Sequence, residues 1–409
     1  MSLPPPSTAA LSIDQGVAAL TDELLEFRRD LHAHPELAFA ESRTTERVAD
    51  RLAAEGITVQ ILPKSGLIAQ VGSQEGRVVA LRADLDALPV EDRTTDPWRS
   101  TVQGVAHACG HDVHTTALLG AGLALQRLHQ EAPFDGGVRL LFQPAEEVMP
   151  GGALEMIAAG ALEGVTHAFG LHCDPSLDVG SVGLRVGPIT GAADSVHVRL
   201  TGGGGHTSRP HLTEDLTYAL GTLVTQLPAA LSRRLDPRAG ASMVWGVVRA
   251  GSATNVIPSS GELAGTVRML DQVAWADAEC LVRGLIEQIV TPYGVKAEVN
   301  YVRGVPPVCN DPGSTALLAD AVERVLGEDG IVSTTQSLGG EDFGWYLETV
   351  KGAMGRLGTR TPGGPTFDLH QGDLRVDERA VAIGAKVLAQ AALKALNQGR
   401  AGPGAPVTP

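Results

Sequence analysis

Positive charge, cysteine and long apolar runs are all scarce in this chain of 409 residues. Against 47 acidic residues stand 32 lysines and arginines, a formal net charge of −15. No stretch gathers cations into the basic stripe that a nucleic-acid surface requires. Apolar runs are broken by charge or glycine well short of the roughly 20 residues that cross a bilayer, so no membrane span is read. Cys109, Cys173, Cys280 and Cys309 are too few and too far apart for a disulfide framework, which suits reduced thiols. The start, MSLPPPSTAA, lacks the basic head and apolar core of a signal peptide, and a cytoplasmic location is the expectation.

What is present is a globular composition, 43% hydrophobic and 19% charged, in a chain too long for one ordinary core. Helical spacing predicts helices over 17–32 and 42–55, with His32, His34 and Glu36 between them read as solvated residues at a helix end stopped by Pro35. Strand-like runs follow at 57–61, 67–71 and 78–83. In the last, Val78, Val79, Ala80 and Leu81 form a continuous apolar run, as in a strand covered on both faces, and Asp84 and Asp86 come just past the strand's end. Asp84 could be a surface carboxylate. Asp86 could equally stand behind a metal ligand, since the stretch that follows is rich in donors.

That stretch, HACGHDVHTT at 107–116, packs His107, Cys109, His111, Asp112 and His114 ahead of a helix expected over 115–128. Gly110 permits the turn that would aim Cys109 and His111 into one cavity. The same residue types are common in buried cores, so the stretch alone leaves core and metal site both open. Strand 138–142 leads into QPAEE, where Glu146 and Glu147 diverge on any regular backbone. One could bind metal while the other handles the proton of a water, or both could be solvated acids opening a helix. Strand 166–171 ends in His172. Three successive strand ends thus offer candidate ligands, a repetition hard to produce by chance.

From about 188 the texture changes to strands with one wet face. The order strand, helix, strand, strand, helix, strand over 194–301 describes a ferredoxin-like sandwich. The predicted organisation is an α/β catalytic domain, with a mostly parallel sheet flanked by helices, formed by 1–187 and 305–397. An inserted α+β domain at 188–304 would serve as lid or dimer surface, and a disordered tail would occupy 398–409. Four glycines at 202–205 lack the lysine and hydroxyl residue of a phosphate loop, and are read as a flexible presenter of His206. SLGGEDF carries Glu341 on a Gly-rich turn. His370 lies on an irregular stretch before an alanine-rich helix at 376–396, where a lone histidine is ordinarily structural or solvated.

Taken in order, HACGHD, LLFQPAEE, GLH, GHTSRPH, NVIP, TVR, GGEDF and LH resemble the two-metal amidohydrolases that cleave N-acyl amino acids. These include hippurate hydrolase, indole-acetyl amino acid hydrolases and bacterial N-acyl-amino-acid amidohydrolases, kin to aminoacylase and glutamate carboxypeptidase. The resemblance implies that Cys109, His111, Glu147, His172 and His370 hold two divalent ions, zinc or manganese with cobalt or nickel as further options. It implies that Glu146 is the general base and Asp86 an acid behind the ligands. His206 would steady the oxyanion across a dimer, and Asn255 and Arg268 would hold the substrate carboxylate. A homodimer or dimer of dimers is expected. Dipeptidase relatives carry histidine and aspartates at the positions of Asp84, Cys109 and His111, so the match is to the acyl-amino-acid branch. The same site would also suit a dipeptidase, a carboxypeptidase or a deacetylase of a biosynthetic intermediate.

Overall fold

The computed structural model describes residues 8–398, with side chains from Ile13 onward. Apart from Gln398, the expected tail lies outside the described residues. The principal elements, in chain order, begin with α1 (Thr8–Ala33), α2 (Ser42–Ala54), β1 (Thr58–Ile61), β2 (Leu67–Gly72) and β3 (Val78–Asp84). Next come α3 (His111–Glu131), β4 (Gly137–Gln143), β5 (Val165–Asp178) and β6 (Val182–Leu184). The middle of the chain supplies β7 (Ala192–Thr201), α4 (Leu216–Arg234), β8 (Ser242–Ala250), β9 (Ser260–Met269), α5 (Gln272–Val290) and β10 (Lys296–Val305). The chain closes with α6 (Pro312–Leu326), β11 (Ile331–Ser333), β12 (Lys351–Arg360) and α7 (Arg379–Asn397).

Two compact units emerge. The first comprises Met1–Gly187, Asn310–Thr335 and Trp345–Pro409, and the second Pro188–Cys309 with Gln336–Gly344. In the first, eight strands form one sheet in the order β1-β2-β4-β3-β5-β12-β6-β11. Its centre, β4-β3-β5-β12, is parallel, and every residue of β3 is buried. The apolar run at 78–81 is therefore a strand covered on both faces, as α/β packing demands. Helix α3 packs against α1 and α7. Gly120 allows the approach to α1, because a Cβ there would stand 2.7 Å from Leu24 Cδ1. Arg379–Asn397 is long and apolar enough to cross a membrane, but most of it is buried in this core.

Two boundaries differ from the periodicity in ways that bear on the site. Helix α3 starts at His111 rather than 115, because the polar residues that break the apolar pattern there are themselves buried. Strand β5 runs on to Asp178, past His172. Its pairing with β3 stops at Arg82 opposite Gly170, while its ladder with β12 continues. His172 thus occupies a stretch of strand whose β3 side has been vacated.

The second unit holds a four-stranded antiparallel sheet in the order β8-β9-β7-β10. With α4 and α5 in the connections this is the ferredoxin-like topology. Val196, Val198 and Leu200 are buried and His197 and Arg199 exposed, the alternation of a sheet wet on one face. Buried Asp194 ties the unit together: it accepts from Trp275 Nε1 at 3.0 Å, Tyr301 Oη at 2.5 Å and Gly304 N at 2.9 Å. Burial and this carboxylate push the Tyr301 phenol up, so it remains a donor. Asp194→Val, which leaves these donors unmatched, is expected to lower unfolding stability by about 3 kcal/mol. Urea unfolding followed by circular dichroism checks this, and a wild-type midpoint would contradict it.

Candidate metal centre

In the first unit the donors come from the turn into α3, the segment after β4, the interior of β5 and the loop that carries His370. Past β3, Asp86 turns back so that its backbone carbonyl accepts from His111 Nδ1 at 2.9 Å, while its Oδ2 accepts from Glu147 N at 2.9 Å. One acidic residue thereby fixes an imidazole from α3 and the carboxylate segment after β4. Gly110, immediately before α3, sits at φ 84°, ψ 18°. A Cβ there would lie 2.8 Å from Cys173 Sγ. The left-handed turn and the close approach both require glycine.

Cys109 Sγ lies 3.6 Å from His172 Nε2. His111 Nε2 lies 3.9 Å from both Glu146 Oε2 and Glu147 Oε1, and His370 Nε2 is 3.4 Å from Glu147 Oε1. His370 is half exposed, at φ 61°, held by its N–H donating to Ala108 O at 2.7 Å. The donor atoms form overlapping sets, Cys109–His111–His172, Cys109–Glu147–His370 and His111–Glu146–Glu147, each within 4.8 Å. Cys109 belongs to two of them.

Whether these residues suit metal ions is decided by what they lack. His111 Nε2 is buried without a hydrogen-bond partner, and Glu147 Oε1 has only the 3.4 Å approach of His370, an expensive arrangement unless a cation lies between them. Burial pushes the Cys109 thiol up and the His172 imidazole well down. A neutral imidazole is the ligating form, and a nearby cation is what would stabilise a thiolate there. Sulfur, nitrogen and carboxylate oxygen together fit a divalent transition metal.

Several expectations change. Asp84 is fully buried, not on the surface, and pairs with Arg82 and His114. His32 is not solvated: its Nδ1 lies 2.8 Å from Asp112 Oδ2, beside Arg28, which also reaches that carboxylate. Glu36 accepts from Arg43 N and Thr44 N at the start of α2. Burial lowers His107 to about 4, so it stays neutral, and no distance joins it to the donor sets. Sequence reasoning passed over Glu41, a buried carboxylate that accepts from Ala145 N at 2.7 Å and so braces the turn before Glu146. No spacing signals it.

The other site candidates lie in the second unit. His206 pairs in a short ladder with Val256, and Thr207 N donates to Asn255 O, so His206 and Asn255 are neighbours. Arg268 Nη1 donates to Leu338 O at 2.5 Å. Glu341 is buried and accepts from Phe343 N.

The family model described as peptidase family M20/M25/M40 matches residues 80–394. The chain belongs to this family. Its M20 relatives are metal-dependent amidohydrolases and peptidases acting on amide bonds, and this chain is a hydrolase of that kind. The N-acetyl-L-cysteine deacetylase of Bacillus subtilis is 37% identical over 93% of this chain and 90% of its own length. A solved M20 structure from Bacillus subtilis, described as a dinuclear metal binding peptidase, aligns with TM-score 0.80 and 34% identity, covering 93% of this chain and 99% of that one. A Rhodococcus jostii protein named putative glutamate–cysteine ligase 2-3 is 52% identical over 90% of this chain, which spans only 46% of that relative's length.

Gly110→Ala is expected to cost about 2 kcal/mol through left-handed strain and the Cys173 contact together, and to reduce bound metal. Thermal unfolding beside elemental analysis tests this; a variant as stable and as metal-loaded as wild type would contradict it.

Proposed function

We propose that this M20 hydrolase cleaves the amide bond of N-acyl-L-amino acids, releasing a carboxylic acid and a free amino acid. The observation that carries the reading is the placement of Glu146 beside Glu147 at the donor cluster, where one carboxylate can ligate while its neighbour transfers a proton. Cys109, His111, Glu147, His172 and His370 would hold two divalent ions, zinc or manganese foremost, with Asp86 orienting His111 and Glu147. When bound, the ions would supply the positive charge that polarises the scissile carbonyl and lowers the pKa of the attacking water.

Glu146 takes the proton of that water and delivers it to the departing amine, so that no separate acid is needed. His206 donates to the oxygen on which negative charge develops. Arg268 pairs with the free carboxylate of the amino-acid portion through its planar fork, and Asn255 adds a hydrogen bond. His206 acts across a homodimer in this reading. The name of the deacetylase relative favours acetyl among acyl groups. The ligase name belongs to a protein more than half of which lies outside the match.

Amino-acid release from hippurate, N-acetylcysteine and a panel of N-acyl amino acids, with dipeptides alongside, tests the reading. Glu146→Gln is expected to retain its metal and lose about 10²- to 10⁴-fold in turnover. Turnover of dipeptides alone would redirect the assignment to a dipeptidase, and an active Glu146→Gln enzyme would remove Glu146 from its role.

A further inference from the structure

His114 stands one helical turn after His111, so both imidazoles leave the same face of α3. Its ring centroid lies 5.3 Å from that of His111 and 5.0 Å from that of His172, which are themselves 6.3 Å apart. Its donors and acceptors are nevertheless fully committed. Nδ1 lies 2.6 Å from Asp84 Oδ1, and Cys173 N donates to Nε2 at 2.7 Å. Because a backbone N–H can only donate, Nε2 carries the lone pair and the proton resides on Nδ1, facing Asp84. With both nitrogens used, His114 has no lone pair left for an ion, although Asp84, His111 and His114 lie close enough to suggest a ligand set.

The connections continue in both directions. Behind His114, Asp84 Oδ2 accepts from Arg82 Nη1 at 2.6 Å, and Arg82 Nε donates to Gln143 Oε1 at 2.9 Å. Gln143 Oε1 also accepts from Tyr346 Oη at 3.0 Å. Ahead of it, the carbonyl of Cys173 accepts from His172 Nδ1 at 2.8 Å. His114 thus reaches the N–H of the same residue whose carbonyl sets the tautomer and rotation of His172. It does so at the point where β5 has outrun its ladder with β3, so that a side chain takes over from a strand.

We propose that His114, held by Asp84, is a positioning residue that fixes the β5 backbone at Cys173 and thereby aims His172 Nε2 into the Cys109–His111–His172 donor set. This rests on reading the cluster as a metal centre. Removing the contact loosens His172, one of the three donors in that set, and leaves Glu147 and His370 untouched. The effect should therefore fall on one ion of the pair. Loss of a group that orients a ligating histidine typically weakens metal binding about 10- to 100-fold.

The test is a titration of apo protein with cobalt(II) against a chromophoric chelator, reading the two affinities and the thiolate-to-cobalt absorption band. His114→Leu is expected to weaken one ion about 10- to 100-fold and leave the second within about threefold, with an altered band. His114→Gln, whose side-chain oxygen can accept from Cys173 N, is expected to recover most of the loss. Should His114→Leu fail to fold, Asp84→Asn, which keeps the shape and removes the charge, is expected to give the same one-ion loss. Wild-type affinities in the Leu and Asn variants would overturn the proposal. So would equal loss of both ions in Leu and Gln with a lowered urea midpoint, which would mark a merely structural role. Wild-type protein that takes up no cobalt would instead overturn the metal-centre reading beneath it.

Discussion

Buried donor atoms that converge on one another with too few hydrogen-bond partners are the constraint on which the first unit depends. His111 Nε2 is buried and unmatched, Glu147 Oε1 meets only His370 at 3.4 Å, and burial pushes the neighbouring Cys109 thiol up. Left so, each buried polar group would cost on the order of 1–3 kcal/mol. The surrounding structure is committed to keeping them there. Asp86 grips His111 and the Glu147 backbone, Glu41 braces the turn before Glu146, and Gly110 supplies a bend no other residue would make without strain. A scaffold that spends this much backbone on one cluster is built for an ion.

Much of this could be read from residues alone, for identifiable reasons. The apolar run of β3 can only be a doubly covered strand, and covered parallel strands present their C-terminal ends as an active-site crevice. Glu147 follows the end of β4 closely and Cys109 and His111 open α3, whereas His172 lies inside β5, where the neighbouring strand β3 has already ended. The two-sided texture of 194–301 likewise announced an antiparallel sheet. His370 was harder. Its place depends on a positive φ and one backbone hydrogen bond to Ala108, and only the family resemblance pointed to it.

The remainder was hidden because burial of charge leaves no periodic trace. His32 reads as a solvated residue at a helix end, yet it packs with Arg28 and Asp112 in a buried ion-paired group. Asp84 reads as a carboxylate past a strand end, yet Arg82 and His114 hold it in the core. Helix α3 began earlier than its apolar pattern because its first turn is buried through hydrogen bonds rather than through hydrocarbon. The spacing of His111 and His114 was in plain view, but its meaning depended on where β5 parts from β3.

The order of the donors along the chain has a consequence for biosynthesis. Cys109, His111, Glu147 and His172 all leave the ribosome before the second unit begins, whereas His370 follows only after the whole of that unit has been made. Strand β12, which flanks β5 in the finished sheet, is equally late. A nascent chain therefore carries a thiol and two imidazoles suited to capturing an ion while one flank of its sheet is still unmade. The proposed centre is therefore completed only by a residue made after the second unit.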